Sequence, residues 1–314
     1  MSPSVSAVVT AYNAERHLGE TLTAILEQTR PPDEVIVVDD GSTDGTSDVL
    51  RELGSAVRTI RQPNGGHANA LNRGCRAARG DYLAKCDADD VWAPDKLARQ
   101  LAALDADPGI DIAFGAVWIF GLEESRWDVP GGSYGVLDRE PFARALFDAN
   151  LICPSSTLLR RSLYERLGPF VEHLPAEDYD YWLRALAAGA RFHYDPRILV
   201  RYRRHDAQIT ANLLAVRRAA LEVRQTHPDL VGDRAHADAV LARELRAIGR
   251  MLVDEGEPRA ARRAFRASLR RRATPAALAW TVLLAAPTAQ RRRLIDLSLA
   301  LRRRVAAGGE APSG

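Results

Sequence analysis

The sequence predicts an α/β domain followed by an all-helical region, and three observations support this fold class. In the first 90 residues, four short β-branched runs alternate with segments of helical periodicity. From there to about residue 205 the alternation is less regular but still contains strand-like runs. Beyond about residue 211 only helical periodicity remains, in a stretch rich in Ala, Arg and Leu. Strands that alternate with helices are typical of a parallel sheet covered by helices on both faces.

The elements of the regular first part follow from short runs of Val, Ile, Leu and Tyr. We expect four strands, at residues 5–9, 34–38, 57–61 and 82–86. Between the first two strands, Leu and Ile recur at helical spacing from Leu18 to Leu26. A second helix is predicted over residues 44–53, because Ser42 and Thr43 before it are good helix caps.

The later elements are predicted in the same way. We expect helices at residues 94–104, 142–147 and 177–188, and strands at residues 110–120, 191–194 and 198–202. Four or five amphipathic helices follow. One pair, over residues 246–271, resembles a tetratricopeptide-like unit, but a plain helical bundle is also consistent with a single pair. The predicted domains are residues 1–212 and residues 213–314.

Charge is divided unevenly between these two parts. Residues 2–214 contain 23 basic and 31 acidic residues, whereas residues 215–314 contain 20 basic and 10 acidic residues. Only Lys85 and Lys96 are lysines, and the other 41 basic residues are arginines, which is typical of a GC-rich genome. The two parts are therefore suited to different surroundings.

The cysteines and the apolar runs bear on where the protein is located. The three cysteines lack zinc-site spacing and are too few for a disulfide framework. The longest apolar run, residues 276–286, is shorter than the roughly 20 residues that a membrane span requires. No signal peptide is recognisable. We expect a cytoplasmic protein, with peripheral contact to the inner face of the membrane as an option.

Acidic side chains follow two of the predicted parallel strands. Asp39 and Asp40 end the second strand, and Asp87, Asp89 and Asp90 end the fourth. Parallel sheets bind ligands at the carboxyl ends of their strands, so these carboxylates should lie on one rim. Carboxylates beside a turn suit Mg²⁺ or Mn²⁺, which leaves coordination positions for phosphate oxygens. The rim therefore predicts a metal–diphosphate site.

Two common nucleotide-binding motifs are absent from this rim. The first strand-to-helix turn, residues 10–15, contains no GxGxxG, and the chain contains no GxxxxGK[ST]. Tyr12 offers a ring that can stack on a base, and Asp40 offers an acceptor for a base N–H. These features favour a nucleoside-diphosphate ligand over a dinucleotide.

Four motifs in order resemble family 2 glycosyltransferases of the GT-A fold, which is Rossmann-like. They are TAYN, VDDGSTDGT, NGGHANALNRG and DADD, which begin at Thr10, Val38, Asn64 and Asp87. The resemblance extends from about residue 5 to residue 212. It implies transfer of a sugar, of the hexosyltransferase type, from a nucleoside-diphosphate sugar, with UDP as the usual nucleotide.

The resemblance also implies roles for individual residues. Thr10, Tyr12 and Asp40 match positions that hold the nucleobase, and Asp87 and Asp89 match positions around the ribose and the metal. Asp89 is the expected metal ligand, with His205 as a second ligand. The expected nucleotide-sugar contacts are Thr10, Tyr12, Asn13, Asp39, Asp40, Gly66, His67, Asn72, Asp87 and Ala88. His67 is expected in a loop beside the donor.

The acceptor side is expected at Glu177 and Asp178, an acidic pair that matches the family's pair at the start of a helix. Asp178 would be the general base, with Glu177 beside it. An acceptor hydroxyl is a poor nucleophile, and a carboxylate within hydrogen-bond reach can take its proton as the new bond forms. Two carboxylates can also simply complement the N-terminus of a helix.

The function expected from these features is inverting, metal-dependent sugar transfer to a saccharide, lipid-linked or small-molecule acceptor. The main alternative is a non-catalytic sugar-nucleotide or carbohydrate-binding protein of the same fold, which would not require the acidic pair Glu177–Asp178. A nucleotidyltransferase is a third option. It would need a basic loop near the N-terminus, where the first 30 residues contain only Arg16 and Arg30.

Arginine triplets recur in the C-terminal region, at residues 270–272, 291–293 and 302–304. Three interpretations stay open. The helices can lie on an anionic membrane surface, can form a homodimer or bind a partner, or can be a solvated bundle. No motif for nucleic-acid binding accompanies the charge, so no nucleic-acid partner is expected.

Overall fold

The computed structural model describes residues 3–205 and 212–285. The chain divides into two compact units, Met1–Gly232 and Asp233–Gly314. This division lies 20 residues beyond the expected boundary at residue 212. The difference is one helix, Leu213–Thr226, whose buried Ala219 and Val223 belong to the hydrophobic core of the first unit.

The first unit contains a ten-stranded sheet. Its strands are β1 Val5–Ala11, β2 Glu34–Asp39, β3 Arg58–Arg61, β4 Tyr82–Asp87, β5 Val91–Trp92, β6 Ile112–Gly121, β7 Ser125–Trp127, β8 Gly135–Val136, β9 Leu158–Arg160 and β10 Phe192–Arg204. The order is β3-β2-β1-β4-β9-β6-β10-β5, with β7 beside β6 and β8 beside β10. The pairs among β1 to β4 are parallel, and β9 is antiparallel to both of its neighbours.

Helices cover the sheet. They are α1 Leu18–Leu26, α2 Thr46–Leu53, α3 His67–Ala77, α4 Lys96–Ala106, α5 Arg139–Asp148, α6 Arg161–Leu167, α7 Glu177–Ala187 and α8 Leu213–Thr226. Alternate residues of the parallel strands enter two separate hydrophobic clusters. In β1, Val8 belongs to one cluster, with α3 and α7, and Val9 belongs to the other, with α1 and α4. The sheet is therefore buried on both faces, as the continuous apolar runs predict.

The predicted α/β class is confirmed, but helix α6 and the short strands β5, β7, β8 and β9 were not predicted. Three further details of the prediction were wrong. The segment between β3 and β4 contains a helix, α3, which was not predicted because its polar NGGHANALNRG sequence resembles a loop. Its Ala68, Leu71 and Cys75 nevertheless face the core. The two strands expected at residues 191–194 and 198–202 form one strand, β10, which is irregular between Asp195 and Val200. Helix α2 begins at Thr46 without a side-chain cap.

The second unit is helical in its described part, as expected. Its helices are α9 Arg234–Asp254, α10 Pro258–Arg271 and α11 Pro275–Leu283. Gly249 of α9 lies against the ring of Phe265, and that ring stacks on Trp280 with centroids 5.6 Å apart. One apolar layer therefore joins the three helices. Across residues 3–205 and 212–285, no helix is long and apolar enough to span a bilayer.

Close packing of α3 on the sheet depends on Gly74. A Cβ atom at this position would lie 2.4 Å from Cγ1 of Val8 and 3.2 Å from Cγ2 of Val38. We expect Gly74→Ala to lower the free energy of unfolding by about 1–2 kcal/mol, because overpacking outweighs the gain in helix propensity. Denaturant titration measures this change. Gly19→Ala in α1, with no atom within 4 Å of the added Cβ, is the control and should keep or slightly raise stability.

Candidate active site at the carboxyl edge of the sheet

Three neighbouring parallel strands bring the predicted residues to one edge. Thr10 of β1 is the register partner of Asp87 of β4, and Ala11 is the partner of Asp39 of β2. The hydroxyl of Thr10 is buried and has no hydrogen-bond partner among the described residues. The expected donor-binding residues of β1, β2 and β4 therefore do lie together, as the parallel register requires.

The loops after β1 and β2 are tied to each other through Asn13. This residue has a φ of +50°, in the left-handed region that Asn tolerates better than most residues. Its backbone N–H donates to Oγ of Ser42 at 3.0 Å, and its Oδ1 accepts from the backbone N–H of Thr43 at 2.8 Å. The neighbouring Tyr12 side chain is left 52% exposed. An aromatic ring is thus presented to solvent at the edge of the sheet where Thr10, Asp39 and Asp87 lie and where the donor is expected, which we call the donor edge.

The carboxylate of Asp40 shapes the loop that leads to α3. Its Oδ1 accepts hydrogen bonds from Nε2 of Gln62 at 2.7 Å and from the backbone N–H of Gly65 at 2.8 Å. Its Oδ2 accepts from the backbone N–H of Gly66 at 2.9 Å, where φ is +88°. Because Gly66 directly precedes the first residue of α3, these bonds fix the position of His67.

Three of the expected nucleotide contacts make hydrogen bonds within the protein. Asp39 is buried and accepts from the backbone N–H of Ser42, within its own turn. Asn72 is fully buried, and its amide bonds the backbone of Phe170 and two other side chains. The carbonyl of Ala88 accepts from the hydroxyl of Thr21. Asn72 therefore has no free polar group for a nucleotide, and we correct its role to that of holding the loop before α7.

His67 connects the expected donor side to the expected acceptor side. Its Nδ1 lies 2.8 Å from Oε1 of Glu177, the first residue of α7, and its Nε2 lies 3.1 Å from Oδ1 of Asp87. His67 is the first residue of α3, whereas the sequence predicted that it lies in a loop. Three elements, β4, α3 and α7, therefore meet at one imidazole ring.

The charge state of His67 follows from its two partners. Burial and the nearby Lys85 act to lower its pKa, but Glu177 and Asp87 outweigh them and raise the pKa to about 9. Burial alone would raise the pKa of both carboxyls, yet the pKa of Glu177 lies below its usual range because of His67, and that of Asp87 because of Lys85 and His67. At neutral pH His67 is thus an imidazolium between two carboxylates.

Lys85 lies beside this bridge. Its Nζ lies 3.6 Å from Oδ1 of Asp87, on a side chain that is 5% exposed. The ammonium group has no hydrogen-bond partner among the described residues. It acts through charge, and Asp87, Glu177 and Asp178 outweigh burial and raise the pKa of Lys85.

Asp178, the expected general base, follows Glu177 in the first turn of α7. Its Oδ2 accepts from Nδ2 of Asn150 at 2.9 Å. Burial, and then the charge of Glu177, raise the pKa of Asp178 to about 6, while Lys85 and Asn150 act in the opposite direction. A carboxylate with a pKa near the working pH is well suited to accept a proton.

Asp89 and His205 form a second pair at the same edge. Nε2 of His205 lies 2.9 Å from Oδ2 of Asp89. Within the described residues, no three His, Cys, Asp or Glu side chains converge to hold a metal ion. A carboxylate and an imidazole still suit Mg²⁺ or Mn²⁺, because such ions commonly take one or two protein ligands and complete their coordination with water and substrate phosphates. The two residues therefore fit the expected ion.

Three residues of the site were not predicted. Asn150 orients Asp178, Ser155 accepts from the backbone N–H of Asp87 at 3.0 Å, and Nε of Arg203 donates to the carbonyl of Asp89 at 3.1 Å. Each contact joins positions at least 28 residues apart. No local pattern marks such partners.

Removal of one carboxylate should change the titration of His67. We expect Glu177→Gln to lower the pKa of His67 from about 9 toward its ordinary value, because Glu177 is the largest influence that raises it. Two-dimensional ¹H–¹⁵N NMR of the imidazole, with His67→Gln for assignment, measures the change. The matched control is Glu172→Gln, since Glu172 bonds Asn69 and Asn72 and not a histidine. An unchanged pKa in Glu177→Gln would refute the bridge.

The sequence matches the model of the glycosyl transferase family 2 over residues 6–168. One relative is an uncharacterised glycosyltransferase of Rickettsia typhi, with 31% identity over 219 residues that cover 68% of each chain. The match to the family model includes the ends of β1, β2 and β4 that carry Thr10, Asp39 and Asp87.

Two solved structures show the same architecture. Residues 1–349 of S. aureus TarS, in complex with UDP-GlcNAc, align with a TM-score of 0.66 at 19% identity and cover 84% of this chain and 81% of that chain. The mannosyltransferase PcManGT from Pyrobaculum calidifontis, in complex with GDP-Man and Mn²⁺, aligns with a TM-score of 0.58 at 25% identity and covers 93% of this chain and 83% of that chain. The chain therefore belongs to glycosyl transferase family 2 and is a glycosyltransferase with the GT-A fold.

Proposed function

We propose that this glycosyltransferase moves a hexose from a nucleoside-diphosphate sugar, with UDP as the expected nucleotide, to an acceptor hydroxyl with inversion at the anomeric carbon. The observation that carries the proposal is the position of Asp178. This raised-pKa carboxylate adjoins Glu177, which His67 connects directly to Asp87 at the donor edge. A donor and an acceptor hydroxyl would meet between these groups.

The donor edge offers distinct groups to a nucleotide. The exposed ring of Tyr12 can stack on a base, and the buried hydroxyl of Thr10 has an unused hydrogen-bonding capacity. Asp40 is already engaged by the loop that precedes α3, so any contact with a base N–H would use its remaining lone pairs. Asp87 would face the ribose. TarS was solved with UDP-GlcNAc and PcManGT with GDP-Man, so both nucleotides belong in the test.

A divalent cation, Mn²⁺ or Mg²⁺, would be held by Asp89 and His205. When bound, the ion supplies positive charge that neutralises the diphosphate leaving group. Arg203, through its bond to the carbonyl of Asp89, keeps the end of DADD in place. PcManGT was solved with Mn²⁺, which supports the inclusion of this ion in the tests.

Asp178 would remove the proton of the acceptor hydroxyl as the new glycosidic bond forms. Attack on the face opposite the leaving diphosphate gives inversion. Asn150 holds one carboxylate oxygen of Asp178 and so fixes its orientation. Glu177, paired with His67, would stay ionised and would not compete for the proton. The acceptor is expected to be a saccharide, a lipid-linked saccharide or a small molecule.

The predicted contact through the C-terminal helices stays a proposal. Leu278 and Val282 of α11 lie four residues apart on one helical face and are more than half exposed. Arg270, Arg271 and Arg272 precede this helix. Such a combination supports either an anionic membrane surface at the inner face of the cytoplasmic membrane or a second copy of the chain. The arginine triplets at residues 291–293 and 302–304 lie outside the described residues.

The donor site is tested by calorimetric titration with UDP, TDP and GDP, each with Mn²⁺ and with EDTA. We expect one nucleotide to bind in a metal-dependent manner. Asp89→Ala should reduce this binding by at least tenfold and make it insensitive to Mn²⁺, because a charged ligand to the ion is lost. Asp105→Ala on the exposed side of α4 is the control. Equal affinity with Mn²⁺ and with EDTA in the wild type would reject the metal role.

The base is tested with Asp178→Asn. We expect donor binding to be retained while the release of nucleoside diphosphate from the cognate sugar nucleotide falls by about 10²–10⁴-fold. In the wild type this rate should rise with pH through about 6, because the pKa of Asp178 is raised to about 6 and only the ionised form accepts a proton. Asp180→Asn, which alters an acid paired with Arg184 in the same helix, is the control. Full activity of Asp178→Asn would reject this assignment.

A further inference from the structure

The chain contains only two lysines, and both are buried. Lys85 is 4% exposed and Lys96 is completely buried, whereas arginine provides the 41 other basic residues. Arginine and lysine differ in shape and in hydrogen-bonding geometry, since the ammonium group is a compact point charge. The two sites therefore differ from the rest of the basic surface and need separate explanations.

Lys96 has a structural explanation. Its ammonium group donates to Oε1 of Gln100 at 2.9 Å and to the carbonyl of Thr157 at 3.2 Å, and it lies 4.0 Å from the centre of the Trp92 ring. Burial lowers its pKa to about 7. This lysine joins α4 to the segment before β9 through hydrogen bonds. Its amino group can donate these bonds even when it is uncharged.

Lys85 has a different environment. It makes no hydrogen bond to a described residue, yet opposite charges keep it protonated, with Asp87 at 3.6 Å as its nearest ion-pair partner. It lies on the face of β4 that is covered by α3 and α7. A buried ammonium group without hydrogen bonds is costly unless carboxylates compensate for it. The compensation here comes from the donor-side and acceptor-side acids together.

We propose that Lys85 is a positioning residue for sugar transfer, whose buried ammonium group, 3.6 Å from Asp87, balances the charge of the cluster that Asp87, His67 and Glu177 form beside the acceptor base Asp178. The proposal rests on the role proposed above for Asp178. It assigns to Lys85 no contact with substrate, because the ammonium group is shielded from solvent by the protein.

His67, the other cation of the cluster, makes its direct contacts with two other carboxylates. Both of its ring nitrogens are engaged, one by Glu177 and the other by Asp87. Burial and Glu177 raise the pKa of Asp178, and Lys85, Asn150 and the backbone N–H of Tyr179 lower it. Asn150 and the backbone N–H carry no net charge. Lys85 is therefore a cation that offsets Glu177 at Asp178.

The main experiment compares Lys85→Met with the wild type. Methionine keeps most of the length of the side chain but removes its charge. The measurement is the pH dependence, from pH 5 to 9, of nucleoside-diphosphate release from the sugar nucleotide identified by titration. The acid limb is the part of the profile in which kcat/KM falls as the pH is lowered. We expect it to move to higher pH by about one pH unit, so that at pH values within the limb the rate is about tenfold lower than in the wild type. Lys85→Arg should return the limb toward its wild-type position.

Lys96→Met is the matched control for the loss of a buried lysine. We expect it to lower the melting temperature, because two hydrogen bonds and a ring contact are lost, but to leave the acid limb in place. Circular dichroism and nucleotide titration establish that each variant is folded. A Lys85→Met variant whose rate falls equally at every pH, with the limb unmoved, would overturn the proposal and leave Lys85 a structural residue.

A second measurement requires no activity. Lys85 opposes the protonation of His67, so Lys85→Met should raise the pKa of His67 above its value of about 9, as read by imidazole NMR. If the wild type releases no nucleoside diphosphate, the proposed function fails. The titration of His67 then still decides whether the charge of Lys85 influences the cluster of Asp87, His67 and Glu177. An unchanged pKa of His67 would overturn the proposal even if the acid limb moved.

Discussion

The buried carboxylates of Asp87, Glu177 and Asp178 are matched by positive charge, and this balance is the constraint on which the candidate active site depends. Asp87, Glu177 and Asp178 lie where three elements meet, and they are opposed there by His67 and Lys85. Without these two cations, the acids would repel one another or take up protons. The compact junction of β4, α3 and α7 therefore depends on charge balance as much as on apolar packing.

The same charges are positioned by backbone features at the donor edge. Asp40 binds the loop before α3 through three hydrogen bonds, and Gly66 supplies the positive φ at the point where the loop becomes a helix. His67 follows at once and reaches both Asp87 and Glu177. A change in the loop would therefore alter the distance between the proposed donor and acceptor sides.

The fold could be predicted largely from periodicity. Each of the strands β1, β2 and β4 is a local run of apolar residues, which can be recognised without knowing the strands with which it pairs. Motif order indicated Thr10, Asp87 and Asp178 for the same reason. The helix α3 was missed because its apolar residues are few and small. Asn72 received the wrong role because its hydrogen bonds to Phe170 join positions 98 residues apart. Contacts between residues so far apart in the sequence cannot be recognised from local composition.

The two halves of the site differ in how their charge is balanced. Around Asp178 the compensating cations belong to the protein, and both are buried or engaged in ion pairs, so this half can keep its charge state before any substrate arrives. Asp89 and His205 offer a carboxylate and an imidazole instead, a pair suited to a cation that comes with the donor. The diphosphate of the proposed donor would bring negative charge only when it binds. A cation that arrives with the donor would therefore balance a charge that is present only when the donor is bound. The fixed cations His67 and Lys85 balance carboxylates that are present at all times.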